Sequence, residues 1–157
     1  MSGSARRLNV ELKKVTEKEI INGVTAVLVN EQINHWNVSI QGPALAGSLY
    51  EGAVIKLDIK FPDKYPHEAP KFLFVPPLLH INVTPEGAPP PETPGEPCFE
   101  SINNWSPQKS MPKLLGELID FIKNPEPAHA RNAELAALGE SNKYADEIKK
   151  WAAAHKA

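Results

Sequence analysis

Cys98 is the one cysteine of the chain, and it sits in a segment rich in groups able to do chemistry, HINVTPEGAPPPETPGEPCFESINNWSP (80–107). Pro97 precedes it, and the polar Glu100, Ser101, Asn103 and Asn104 follow closely. A thiol on an irregular, partly exposed loop is able to attack an incoming acyl group, and the thiolate is the reactive form. A lone cysteine is equally able to serve as a small buried hydrophobe. The residues alone leave both readings open. Other chemistries lack their residues. There is no glycine-rich phosphate loop and no G-x-S-x-G elbow, and no two carboxylates stand out as an acid/base pair. His35, His67, His80, His129 and His155 show no metal-ligand spacing with the cysteine, so no metal site is expected.

The elements that must hold this segment follow from pattern. A chain of 157 residues is long enough for one domain with a real core, and one domain spanning 1–157 is expected. The composition, 41% hydrophobic and 23% charged with a net charge of -2, gives no footing for nucleic-acid binding or a polybasic membrane contact. One cysteine makes no internal disulfide, which suits a reducing compartment. MSGSARRLNVELKK lacks the apolar stretch of a signal peptide, and Ser2 excludes the usual myristoylation pattern. A soluble protein of the cytoplasm or nucleus is expected, and a monomer.

Leu8, Leu12 and Val15 share one helical face, with Ser4 as expected cap and Arg6, Arg7, Lys13 and Lys14 off the stripe. That basic face is either simply solvated or a docking surface. Asn22-Gly23 ends the helix. Val24–Val29 then reads as a strand, as do the alternations Trp36-Val38-Ile40 and Ile55-Leu57-Ile59-Phe61 and the short run Lys71–Val75. Four strands with short connections predict an antiparallel meander. From Met111 to Ile122 the apolar period turns helical and Asn124-Pro125 stops it. A short helix around Ala133–Leu138 closes at Gly139, and Ser141 is the expected cap of a last helix whose Tyr144, Ile148 and Trp151 share a face. The fold class is α+β: an N-terminal helix, a four-stranded antiparallel meander, and C-terminal helices on the sheet.

In order along the chain, WNVSIQGP, YEGA, FPDKYPHEAPKFLF, His80-Ile81-Asn82 and CFESINNWSP resemble the successive signatures of the ubiquitin-conjugating enzymes. The resemblance runs from ARRLNVEL to YADEIKKW. It implies that Cys98 takes the C-terminal carboxyl of ubiquitin, or of a ubiquitin-like protein, as a thioester from an activating enzyme. Cys98 would then pass it to a lysine or to a ligase cysteine. No cofactor is implied, since ATP is consumed by the activating enzyme. Asn82 matches the family asparagine that supports the catalytic loop or donates to the developing oxyanion. His80 matches a structural histidine. Glu100 and His129 stand where lysine-directed members carry acidic residues. NPEPAHARNAEL, with ARRLNVEL and NNWSP, is most similar to a subgroup that transfers to the cysteines of HECT and RING-between-RING ligases. From this follows the expectation that the charged enzyme discharges faster onto free cysteine than onto free lysine. Contacts with activating enzyme and ligase would fall on Arg6, Arg7, His67, Ser106 and Pro107.

The chain also departs from the pattern. His67 replaces a phenylalanine that anchors many ligases, Ala53 and Ala69 replace a glycine and a proline, and Ile81 replaces the proline of His-Pro-Asn. The gap from His80 to Cys98 is extended by an insertion around 84–97 that holds six of the chain's sixteen prolines. Such a stretch is expected to be an exposed flap of extended chain without internal hydrogen bonds. Two alternatives stand beside the main reading. One is a conjugating enzyme for another ubiquitin-like modifier, and the other is a non-catalytic variant acting as a binding module.

Overall fold

The computed structural model describes residues 3–139 and 141–156. Helix α1 (Gly3–Lys13) passes into a wider π turn (Lys14–Lys18), and Leu8 and Val15 from its apolar stripe are buried. Ser4 lies inside the helix rather than capping it, because the helix already begins at Gly3.

Strands β1 (Val24–Val29), β2 (Gln32–Ile40), β3 (Ile55–Lys60) and β4 (Lys71–Phe74) pair in sequence order, each antiparallel to the next. The meander read from alternation is therefore the observed sheet. β2 starts four residues before Trp36, where the apolar alternation is clear. The cause is the two-residue turn Asn30-Glu31, whose φ angles of 51° and 61° reverse the chain tightly enough to pair Val29 with Gln32.

Trp36, Val38 and Ile40 face the core from β2, as do Ile55, Leu57 and Ile59 from β3 and Phe72 and Phe74 from β4. They join one apolar cluster with Met111, Leu114, Leu115, Leu118, Ile119 and Ile122 of helix α3 (Met111–Lys123). Burial of these large side chains, about 1.5–3 kcal/mol each, is the main force holding α3 to the sheet. Ser110 caps α3, its hydroxyl oxygen accepting from the Lys113 N–H at 3.4 Å. A buried carboxylate adds to the cap: Glu11 on α1, 1% exposed, accepts the Met111 N–H at 2.6 Å and pairs with Arg7 and Lys14.

Beyond α3, α4 (Ala133–Ala136) is capped by the Asn132 carboxamide, whose oxygen accepts from the Leu135 N–H at 3.0 Å. Helix α5 (Asn142–Ala154) buries Ile148 and Ala152. Ser141 stands at its N-cap, but the side chain makes no capping hydrogen bond. The far end of α5 is tied to the sheet, because the Val54 N–H donates to His155 O at 2.8 Å and Trp151 packs edge-on to Tyr50.

Candidate active site

Cys98 is half-buried and free. Two short antiparallel stretches place it. The Cys98 N–H donates to Asn82 O at 2.8 Å, the Thr84 N–H to Glu96 O at 3.0 Å and the Gly95 N–H to Thr84 O at 2.8 Å. This ladder closes the base of the proline-rich insertion, so the cysteine keeps its place beside Asn82 despite the extra chain between them. Gly95 locks the ladder to the sheet: its carbonyl accepts the Phe74 N–H at 2.9 Å. With φ +89°, a β-carbon at Gly95 would lie 2.2 Å from Phe74 O, so only glycine fits.

The insertion above the ladder is exposed over residues 86–87 and 89–93. It is not free of internal hydrogen bonds. Ala88, Glu92 and Glu96 donate backbone N–H groups to Pro85, Pro89 and Thr93 carbonyls. Proline removes its own donor only, and the residues between prolines still close turns.

His80 and Asn82 form the wall behind the thiol. His80 is fully buried, and its Nε2–H donates to the carbonyls of Phe121 and Ile122 at 3.0 and 3.2 Å. Its Nδ1 accepts the Asn82 N–H at 3.0 Å, which fixes the tautomer, since carbonyls only accept and an amide N–H only donates. Burial in apolar surroundings lowers its pKa to about 4, against partial support for the cation from the two carbonyls. A neutral imidazole in that position is scaffold.

The Asn82 side chain, 2% exposed, is committed at every atom. Its Nδ2 donates to Glu126 O at 2.8 Å and His129 O at 3.0 Å, and its Oδ1 accepts the Glu126 N–H at 2.7 Å. It therefore holds the loop that follows α3. Ile81 helps, for its carbonyl accepts from both Arg131 and Asn132, and Arg131 reaches Glu96 of the insertion at 3.8 Å.

The result is a cleft of about 620 Å³ that gathers Cys98, Asn82, Glu100 and His129. Four site residues scattered over the sequence thus share one opening. Glu117, Asp120 and Glu126 line it too, although nothing in their sequence spacing marks them as part of a site. Two of the three come from α3, whose polar face gave no sign of pointing at the thiol. Among the described residues Asn103 is the one side-chain donor to the sulfur, with Nδ2 3.9 Å from Cys98 Sγ. It ends a one-turn helix, α2 (Glu100–Asn103), that alternation did not reveal.

The residues expected to meet partners lie elsewhere, around Tyr65. Arg7 and His67 border one concavity there, and Trp105 bridges to the same loop through Nε1 to Pro66 O at 2.8 Å, bringing Ser106 and Pro107 alongside. Arg6 and His67 are exposed, whereas Ser106 and Pro107 are half-buried. Arg7 is partly turned inward: it pairs with Glu11, donates to Lys109 O at 3.1 Å and sits 5.8 Å over the Tyr65 ring. Among the described residues no cluster of histidine, cysteine and carboxylates has the arrangement of a metal site. No helix among them is long and apolar enough to cross a membrane.

A family profile described as ubiquitin-conjugating enzyme matches residues 7–154, nearly the whole chain. The chain belongs to the ubiquitin-conjugating enzyme family. Among curated relatives, a probable ubiquitin-conjugating enzyme E2 31 of Arabidopsis thaliana is 29% identical over 90% of this chain and 84% of its own length. A probable ubiquitin-conjugating enzyme E2 L460 of Acanthamoeba polyphaga mimivirus is 27% identical over 98% of this chain and 95% of its own. Two solved structures share the fold. The E2 domain of a Toxoplasma gondii ubiquitin conjugating enzyme, 28% identical, superposes with a TM-score of 0.81 over 97% of this chain and 99% of that one. A putative ubiquitin conjugating enzyme from Plasmodium yoelii, 26% identical, gives 0.84 over 99% and 97%. The family fold is thus an α+β ubiquitin-conjugating fold with the helix, meander and C-terminal helices in the expected order.

Proposed function

We propose that this chain carries ubiquitin as a thioester on Cys98, received from an activating enzyme and delivered with a ligase to a lysine or a ligase cysteine. The observation that carries the reading is the half-buried free thiol at the mouth of the cleft, held beside Asn82 by a backbone ladder that bypasses the insertion. A thioester reacts with amines and thiols without hydrolysing at once, so one placed thiol suffices as a carrier. The accessible thiol also weighs against a purely non-catalytic binding module. Neither metal nor cofactor is needed, because the activation energy arrives with the acyl group.

The partner face is assigned to Arg6, His67, Ser106 and Pro107, with Arg7 fixing the position of that face through Glu11 and Tyr65. The domain is taken to span residues 1–157 and to act as a monomer in the cytoplasm or nucleus. Incubation with ubiquitin, ATP and a ubiquitin-activating enzyme tests the main claim. A reductant-sensitive adduct on the wild type, absent from Cys98→Ser, is expected. No adduct on the wild type would refute it. Charging only by the activating enzyme of another ubiquitin-like protein would move the assignment to that modifier.

For the acceptor, His129 in place of an acidic residue favours a cysteine. One observation favours an amine instead: Glu100, Glu117, Asp120 and Glu126 line the same cleft as the thiol and would attract an ammonium group. Discharge of the charged enzyme onto free cysteine and free lysine decides between them. Faster loss to cysteine at neutral pH supports the first, and comparable rates remove the weight placed on His129.

A further inference from the structure

We propose that the side-chain amide of Asn103 supplies the hydrogen bond that stabilises the oxyanion formed when an acceptor attacks the thioester on Cys98. This rests on the thioester reading above and names a residue for its chemical step. The attack forms a bond from the acceptor nitrogen or sulfur to the acyl carbon and moves the C=O electron pair onto oxygen. Collapse restores the carbonyl, breaks the carbon–sulfur bond and releases Cys98 as thiolate, while an amine acceptor loses its proton to water. A donor aimed at that oxygen lowers the barrier because negative charge appears there only during the reaction.

Asn82 lacks a hydrogen to give. Both of its Nδ2 hydrogens are held by the carbonyls of Glu126 and His129, and its oxygen is held by the Glu126 N–H. At 2% exposure it has no second orientation that preserves these bonds. Donation from Asn82 to an oxyanion would require the loop behind it to open.

Asn103 has what Asn82 lacks. Its Nδ2 stands 3.9 Å from Sγ, and it is the only side-chain donor to that sulfur among the described residues. The thioester oxygen is two bonds from Sγ, so an amide already in reach of the sulfur is also in reach of positions that this oxygen can take. Asn103 lines the carboxylate-lined cleft together with Cys98, and it also lines a second opening beneath the insertion that reaches Pro97 and Phe99 on either side of the cysteine. Its helix is held from below. The Lys109 ammonium donates to Ser101 O at 2.8 Å and Asn104 O at 2.5 Å, and the Ser101 hydroxyl donates to the Glu117 carboxylate. A donor on an element fixed in this way needs little reorganisation at the moment of attack.

The test is single-turnover discharge of purified, pre-charged enzyme onto free lysine over a concentration series. Wild type is compared with Asn103→Ala and with Asn103→Leu, which keeps the shape and removes the donor without adding a charge. Loading is driven to a plateau with excess activating enzyme, and thermal midpoints report folding. Asn103 is exposed, so both variants are expected to melt like the wild type. The expected result is a limiting rate lowered ~10²-fold in both variants with the half-saturating lysine concentration unchanged. A limiting rate within twofold of wild type in either variant overturns the proposal. So does a loss confined to the half-saturating concentration, which would make Asn103 a contact for the acceptor. A wild type that charges normally while this result fails leaves the thioester reading standing, and a wild type that never charges removes both.

Discussion

At Asn82 one carboxamide makes three hydrogen bonds to backbone 44 and 47 residues away. Truncation to alanine leaves those partly buried backbone groups without partners. Asn82→Ala is therefore expected to lose about 2–3 kcal/mol of stability and to speed amide hydrogen exchange across 126–129, measured by denaturant unfolding and exchange mass spectrometry. A variant as stable and as protected as the wild type would contradict the structural role. His80 gives a second test. Its folded pKa, near 4, lies below the ordinary 6.5, so the unfolded chain binds a proton first as the pH falls. The neutral buried imidazole contributes its full share of stability above pH 6.5, and that share shrinks between 6.5 and 4. By pH 5 the loss is about 2 kcal/mol. NMR should show the His80 ring neutral, protonated on Nε2, from pH 7.5 down to 5; a midpoint near 6.5 would refute it. At this scale the thiol was legible from type and setting, and His80 and Asn82 from their motif. What Asn82 holds was not legible, because its partners are backbone atoms brought up by a distant loop. Asn103 was visible only as one polar residue among several, since its spacing to Cys98 acquires meaning only once residues 100–103 are known to be helical.

The strands were plain in the sequence because each buries one face, which leaves an alternation of apolar and polar residues. α3 was plain for the same reason at a different period. Three things were hidden. The Asn30-Glu31 turn lacks the glycine that marks such hairpins. The one-turn α2 is too short to show a period. Glu11 reads as a surface residue of α1, yet it is buried and accepts from the first N–H of α3, where the helix dipole favours an anion. Glu11→Ala removes that cap and leaves the Arg7 Nε–H and the Met111 N–H without their acceptor. A loss of about 2–3 kcal/mol is expected in chemical denaturation. A change below about 0.5 kcal/mol, the level of an ordinary surface substitution, would contradict the arrangement. Gly95 belongs to this scale too. Gly95→Ala puts a methyl group into Phe74 O and should destabilise by about 3 kcal/mol or more, whereas Gly87→Ala, with open space around it, should cost only the left-handed backbone penalty of about 1–2 kcal/mol. Equal effects at the two glycines would contradict the close approach of Gly95 to Phe74 O.

Over the whole molecule, the insertion and the segment that holds Cys98 are separable because the ladder from Asn82–Thr84 to Gly95–Cys98 closes beneath the prolines. The insertion was legible as proline-rich and exposed. The ladder was not, because pairing between Thr84 and Glu96 depends on Gly95 fitting against the end of β4. Family membership fixes the architecture, and the geometry adds a free thiol facing an acid-lined cleft backed by a neutral histidine and a committed asparagine. The proposed function stands or falls with Cys98 as the acyl carrier. Peptide mapping by mass spectrometry after charging, under non-reducing and acidic conditions, tests it most directly. The expected result is the modifier's C-terminal residues joined through a thioester to the peptide containing Cys98, lost on adding a thiol. A modifier found only on lysine, or an unmodified Cys98 peptide under conditions in which a known conjugating enzyme is fully charged, would contradict it.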